Sequence, residues 1–392
     1  MTEAYIVAAA RTAGGRRGGK LSGWHPVDLA AQVLDALLER AKCDPALVED
    51  VLMGCVSQVG EQSTNVARNA VLASSLPDSV PGTSIDRQCG SSQQALHFAA
   101  QAVLSGTQDV VIAAGVESMT RVPMFTPSVL PQKNGMGHYM SPAIHRQYGE
   151  GEFSQFLGAE MIAKKYELPK EALDRYALLS HQRAAGATNA GRFEQEIVPL
   201  PVRDANGKEA GEVHFRDEGI RADASLEGIA GVKLLSEGGR ISAASASQIC
   251  DGASGVLVVN ERGLKKLGVK PLARIHHMSV MGHDPVIMLE APIPATQLAL
   301  QKAGLKISDI DLYEVNEAFA PVPLAWLQVL GADPARLNVN GGAIALGHPL
   351  GASGTKLMTT LLYALQQRGG RYGLQTMCEG GGMANVTIVE RL

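Results

Sequence analysis

The sequence predicts an α/β protein made of two copies of one βαβ-rich unit, with a segment of different texture inserted into the first. Three observations carry this prediction. Apolar strand-like runs alternate with helical periods along most of the chain, the order of elements in the first 120 residues recurs after residue 310, and the texture changes between about Glu117 and Gly239. Alternation of the two periods is the mark of an α/β chain. A length of 392 residues exceeds one ordinary core, so two or three packed substructures are expected.

Taken in order, Tyr5–Ala10 is an apolar run that reads as a strand. In 27–41, Val27, Leu29, Ala30, Val33, Leu34, Leu37 and Leu38 repeat at helical spacing. A buried strand at 51–56, a helix at 62–73, a strand at 82–87, a long helix at 91–105 and a strand at 109–115 complete the first unit. Helices are expected at 157–166 and 171–187 within the insertion, and strand-like runs return over 241–260, clearest in Gly255-Val-Leu-Val-Val-Asn260. The second unit repeats the series as a strand at 310–315, a helix at 320–330, a strand at 337–340, a helix at 353–368 and a strand at 372–378. Reactive residues fall at matching places in the two series. Such a duplicated pair meets at a pseudo-two-fold interface, where ligands commonly bind.

Composition narrows the function classes. Hydrophobic residues at 45% and charged ones at 19%, with 43 glycines, fit a folded enzyme rich in tight turns and exclude a disordered chain. A net charge of -4 and the absence of a long Lys/Arg block speak against nucleic acid or a membrane surface as partner; the run Arg16-Arg17 with Lys20 reads as a solvated loop. The first apolar run is too short for a leader or a membrane span and the last residues, Glu390-Arg391-Leu392, are not a peroxisomal address, so a cytoplasmic location is expected. The five cysteines, Cys43, Cys55, Cys89, Cys250 and Cys378, include no C-x-x-C pair, which argues against disulfides and structural zinc.

Four stretches carry chemistry. In Ser84-Ile-Asp-Arg-Gln-Cys-Gly-Ser-Ser92 a strand runs through Cys89 into a helix, and a thiol at a helix N-terminus is expected to gain thiolate character and donors for an oxyanion. His348 sits between Gly347 and Pro349 just before another helix, placed as a base for a thiol. Cys378 ends a strand before Glu379 and three glycines, which expose amide groups to a ligand. Asn316 follows a strand directly and is suited either to cap the next helix or to hold a water or carbonyl. No G-x-G-x-x-G follows a strand, no G-x-S-x-G elbow occurs, and Gly351-Ala-Ser-Gly-Thr-Lys356 inverts the P-loop order, so nucleotide and serine-hydrolase chemistry lose ground.

These stretches, with Ala9-Ala-Arg-Thr12, Ala244-Ser-Ala-Ser-Gln-Ile-Cys-Asp-Gly-Ala253, Asn316-Glu-Ala-Phe-Ala320, Gly347-His-Pro-Leu-Gly-Ala-Ser-Gly354 and Cys378-Glu-Gly-Gly-Gly382, resemble the thiolase family in ordered sequence along the whole chain. The resemblance implies layered αβαβα halves, one of 1–118 plus about 240–262 and one of 263–392, with 119–239 as a loop domain for CoA binding and oligomer contacts. It implies acyl transfer between CoA thioesters through an acyl group on Cys89, with His348 as base and Cys378 as the acid/base of the carbon–carbon step. Asn316 with His348 would serve one oxyanion site, and the amides of Cys89 and Gly380 the other. Ser247 would contact the pantetheine arm, Phe319 line its tunnel and Arg221 stand beside the adenine or phosphate. Acyl-CoA and CoA are the expected substrates, with no metal or organic cofactor, in a homodimer or homotetramer. The sequence departs from the family at Ser92, where glycine is usual, at Gln155-Phe-Leu-Gly158, where many short-chain members carry His-Met-Gly, and at Gly228, where a serine is common. The acyl preference therefore stays open. A ketosynthase-like enzyme would share the fold but use two histidines and lack the Cys378-Glu-Gly-Gly-Gly pattern, and an inactive lipid-binding relative would be expected to lose Cys89, His348 or Cys378.

Overall fold

A computed structural model describes residues 2–392. The first unit runs β1 (Tyr5–Thr12), α1 (Pro26–Ala41), β2 (Asp50–Gly54), α2 (Val66–Ala73), β3 (Gly82–Ile85), α3 (Ser91–Ser105) and β4 (Val110–Ser118). Within the segment that follows, α4 (Gln155–Lys165) and α5 (Lys170–Asn189) are the longest helices, and Leu200–Arg203 pairs with Glu209–His214 as a separate hairpin. The chain then returns through β5 (Cys250–Val259), β6 (Ala273–Gly282), α6 (Pro292–Ala303), β7 (Leu312–Val315), α7 (Pro321–Leu330), α8 (Ser353–Arg368), β8 (Tyr372–Glu379) and β9 (Met383–Arg391).

The strands lie in the order β7-β8-β9-β6-β1-β5-β4-β2-β3. From the centre outward each half reads alike: β1 then β5, β4, β2 on one side, β6 then β9, β8, β7 on the other. Only Tyr5–Arg274 and Ile6–Ala273 register β1 against β6, so the halves join at a short antiparallel seam. Pairing within each half repeats too, parallel at β2/β4 and β7/β8 and antiparallel at β4/β5 and β8/β9.

Side-chain alternation on these strands builds the layers. Val110 and Ile112 face Leu34 and Leu37 of α1, while the intervening Val111 and Ala113 face Leu96 and Ala99 of α3. The cluster around α3 and α8 also takes in Ile275, Leu312 and Val389 from the second half, so these two helices are sandwiched between the sheets. Trp326, Ile293 and Leu374 close the far side beneath α6 and α7. Five layers, αβαβα, result. No helix among the described residues is long and apolar enough to cross a membrane.

Four expected elements are corrected. The helix expected at 62–73 begins at Val66, because Thr64 and Asn65 adopt left-handed φ of 56° and 59° and the Asn65 side chain caps the amide of Arg68 at 3.1 Å. The strand at 82–87 ends at Ile85, where the turn carrying Cys89 begins. No strand forms at 337–340 beyond isolated bridges, since Asn338 turns left-handed (φ 43°) and its side chain replaces the ladder. Its amide nitrogen donates to the Val315 carbonyl at 2.9 Å, and its oxygen accepts from the Val315 amide at 2.9 Å. The strand-like run at 241–260 becomes a short 3-10 turn at Ala243–Ser245 followed by β5. The elements β6, α6 and β9 were not anticipated.

Candidate active site

The chemically promising residues sit at the carboxyl ends of β3, β7 and β8 and just before α8, the edge at which α/β folds bind ligands. The duplication places the Cys89 turn before α3 as the His348 turn lies before α8.

Between Ile85 and Ser91 the chain makes a tight turn in which Gln88 is left-handed (φ 48°). Ser91 clamps it, its hydroxyl donating to the Gln88 carbonyl at 2.6 Å and accepting from the Arg87 amide at 2.9 Å. Gly90 has no room for a side chain, since a Cβ there would meet Glu379 Oε1 at 2.1 Å and Asn385 Oδ1 at 2.3 Å. The Cys89 thiol is pushed up to about 12, by burial first and by Glu379 second, while the amides of Cys89 itself and Gly380 pull the other way. The expectation that the helix end gives the free thiol thiolate character is thus overturned. Desolvation outweighs the dipole, because Cys89 precedes the first helical residue and faces a buried carboxyl. Although Cys89 is partly exposed as a residue, its sulfur points inward. The two amides acting on it are those that the resemblance assigns to an oxyanion site.

His348 is buried, and its Nδ1 lies 2.5 Å from Ser353 Oγ, which itself donates to the Pro349 carbonyl at 2.9 Å. The serine proton is therefore committed, Nδ1 carries the ring proton, and Nε2 is left with its lone pair. Asn316 Nδ2 stands 3.4 Å from that Nε2. Burial, and then the Lys356 cation, hold His348 down at about 3, so the ring is neutral. Lys356 is itself fixed by the carbonyls of Leu346 and Gly347 at 2.7 and 2.8 Å, and the His348 amide donates to the Gln248 carbonyl at 3.0 Å.

Cys378 is fully buried near the end of β8 and lifted well above the usual thiol range, by burial first and by Cys89 second. Its turn into β9 needs glycine at Gly382, where φ is 75° and a Cβ would strike the Asp284 carbonyl at 2.7 Å. Asn316 is wholly buried, its amide donating to the Thr376 carbonyl at 3.1 Å. The adjacent Glu317 accepts from Tyr176 and Ser180 of α5 at 2.9 and 2.7 Å and from the Ile344 amide at 3.0 Å. The inserted segment is thereby tied to the turns that carry Asn316 and His348.

Ser247 and Phe319 come together beside this site. The Ser247 amide donates to the Ala318 carbonyl at 2.9 Å, Ala246 bridges to Phe319, and the Phe319 ring packs edge-on against Phe156 at 5.6 Å. Arg221 is exposed in a loop at α5, its amide donating to His181 Nδ1 at 3.2 Å; its side chain makes no hydrogen bond or ion pair among the described residues. Ser92 proves well accommodated, buried with its hydroxyl accepting from the Thr355 amide at 3.0 Å, which fastens α3 to α8. Gly228 lies exposed in a short helix capped by Ser225. Sequence reasoning missed Ser353, Gln248, Lys356 and Glu379 as partners of the site. The spacing of Ser353 after His348 was a signal within the quoted motif, whereas the others depend on tertiary contacts. Among the described residues no group of three His, Cys, Asp or Glu side chains is arranged to hold a metal ion.

Comparison with known families matches residues 4–262 to the model for the thiolase N-terminal domain and residues 269–391 to that for the thiolase C-terminal domain. The chain is 54% identical to the steroid 3-ketoacyl-CoA thiolase FadA6 of Mycobacterium tuberculosis, across 100% of this chain and 95% of that protein. It is 41% identical to the 3-ketoacyl-CoA thiolases of Cronobacter sakazakii and Erwinia tasmaniensis, each across the full length of both chains.

Proposed function

The chain belongs to the thiolase family, and from that premise we propose that it cleaves 3-ketoacyl-CoA with free CoA, or runs the reverse condensation, through an acyl group carried on Cys89. It is an acyltransferase. In the cleavage direction the Cys89 sulfur attacks the 3-keto carbon and passes its proton to His348 Nε2. The bond between C2 and C3 breaks, the acyl part stays on sulfur, and C2 of the departing acetyl-CoA takes a proton from Cys378. CoA thiol then gives its proton to the Cys378 thiolate and attacks the acyl-Cys89 thioester, and the departing Cys89 sulfur takes back the proton held on His348 Nε2, which frees both residues and completes the transfer.

The observation that carries this reading is the close approach of the Cys89 turn to the end of β8 in the other half, where a Cβ at Gly90 would meet Glu379 Oε1 at 2.1 Å and one at Gly380 would meet Gln88 Oε1 at 2.9 Å, with Cys89 raising the buried Cys378 thiol and the amides of Cys89 and Gly380 favouring the Cys89 thiolate. A thiol raised to about 12 beside an imidazole lowered to about 3 disfavours a standing thiolate–imidazolium pair. Proton transfer is therefore concerted with attack, and charge develops on the substrate oxygen, where the amides stabilise it. Asn316 and His348 would serve the second oxyanion, at the thioester of the leaving acetyl-CoA. The chemistry as written uses CoA as substrate and calls on no further cofactor.

Ser247, Phe319 and Arg221 are proposed to follow the CoA arm outward from the sulfur. The Phe156–Phe319 aromatic pair and the exposed Leu157 support a long or branched acyl part, in keeping with the relative named for steroid substrates. A cytoplasmic homodimer or homotetramer completes the reading, and light scattering on the eluted protein weighs the assembly. The activity test offers acetyl-CoA and a graded set of 3-ketoacyl-CoAs with free CoA. Thioester exchange with at least one chain length is expected, and no reaction at any length contradicts the proposal. Cys378→Ala should still accept acyl from a simple acyl-CoA while losing the carbon–carbon step by about 100-fold or more; equal loss of both refutes the division of roles.

A further inference from the structure

Glu379 stands next to the proposed machinery without a role in it. Its side chain is fully buried and neither carboxyl oxygen has a hydrogen-bond partner. Ionised carboxylates are almost never left so, because burial without pairing costs several kcal/mol. The Gly90 contacts locate it. Glu379 Oε1 and Asn385 Oδ1 both crowd the point where a Gly90 Cβ would stand, at 2.1 and 2.3 Å, so the two oxygens are close neighbours. Asn385 Oδ1 also lacks a donor, while its Nδ2 donates to Gln94 Oε1 at 3.4 Å. Two buried acceptors therefore face one another with no proton assigned between them, directly beneath the nucleophile turn. A proton on the carboxyl satisfies both.

Burial outweighs the two groups that oppose that proton, the Arg87 cation first and the Asn385 backbone amide second. From the turn above, Arg87 is the one nearby cation, but its Nε is unpartnered, its Nη1 contacts Met383 Sδ at 3.8 Å, and it makes no ion pair with Glu379 among the described residues. Cys89 from the same turn, Cys378 from β8 and Glu117 from β4 are acids that bring no positive charge, and His97 from α3 is kept neutral, held down at about 3 by burial first and by Arg87 second.

We propose that Glu379 is a positioning residue that works as a neutral carboxylic acid: it donates a hydrogen bond to Asn385 Oδ1, seats the Cys89–Gly90 turn, and on ionising opposes loss of the Cys89 proton. This rests on the reading of Cys89 as nucleophile. Burial supports it, holding the Glu379 carboxyl up at about 8. The sign follows. Below that value the group is neutral and leaves Cys89 undisturbed, and above it the new anion lifts the thiol further, so Cys89 gains little reactivity from alkali.

Two measurements test this. Infrared spectra from pH 6.5 to 9.5 should show a neutral carboxylic acid that disappears with rising pH and is missing in Glu379→Gln. Alkylation of Cys89 by iodoacetamide, followed on its own peptide by mass spectrometry, should rise from pH 6.5 to pH 9 at least about threefold more in Glu379→Gln than in the unaltered protein. Should the amide variant fold poorly, Glu379→Leu removes the charge without the donor and must show the same alkaline gain. Matching alkylation profiles, or the absence of a Glu379-dependent acid band, overturns the proposal and indicates an ionised Glu379 served by a turned Asn385 amide. Failure of Cys89 to accept acyl at any pH sinks the thiolase reading instead, so the two outcomes are separate.

Discussion

At the scale of single residues, the reactive groups are held far from their ordinary states by burial, and hydrogen bonds decide what each can do. Ser353 fixes the His348 proton on Nδ1 and leaves Nε2 free for the role of base proposed for it. Ser353→Ala removes that constraint, and the loss of one such bond, worth about 1–1.5 kcal/mol, should lower kcat by about tenfold with little change in KM. Steady-state kinetics checks this; a fall in KM affinity alone would contradict it. Much of this site was legible beforehand. Cys89, His348, Cys378 and Asn316 each announce themselves by following a strand or preceding a helix beside glycine. The state of the Cys89 thiol was not legible, because it depends on Glu379, a residue of the other half that the sequence shows only as the neighbour of Cys378.

At the scale of elements, strands and helices with clean periodicity were readable, and failures occurred where side chains take over backbone roles. The stretch 337–340 looks like a strand, yet Asn338 supplies its pairing through a side chain that also reaches Tyr176 and Glu317, both at 3.1 Å. Asn338→Ala strips the Val315 amide and carbonyl of partners and should cost about 2–4 kcal/mol, visible as a lower urea midpoint. An unchanged midpoint would show that water replaces the side chain without loss. The strand β9 escaped notice because its inward positions alternate apolar and polar residues without an exposed face. Thr387 is buried, accepting from Gln93 and meeting His97, each at 2.8 Å, across from α3. Such polar pairs between halves have no signature in one segment read alone.

At the scale of the whole molecule, duplication sets the design: two similar halves meet at a seam, and each contributes a turn to one site. The internal echo was legible from the order of elements, whereas the seam itself was not, since β6 carries half-buried, mixed residues. Buried ionisable groups across both halves shape the dependence of stability on pH. His97 and His348, held down at about 3, bind protons more readily unfolded, so their contribution is present above about pH 6.5 and is lost as pH falls toward 3. Glu379 has the opposite sign, its contribution full below about 4.5 and lost as pH rises through about 8. The melting temperature should therefore peak between these limits, near pH 5 to 7, and Glu379→Gln should melt higher than the unaltered protein, by about 1 °C or more, at pH 9. Calorimetry across pH 4 to 10 checks both, and a melting temperature that climbs steadily to pH 10 contradicts them. The most direct test of the central claim is mass spectrometry of the Cys89 peptide from Cys378→Ala protein quenched after mixing with acetyl-CoA. An acetyl group on Cys89 is the expected result; turnover by the unaltered enzyme with Cys89 never acylated, or with the acyl group on another residue, contradicts the account.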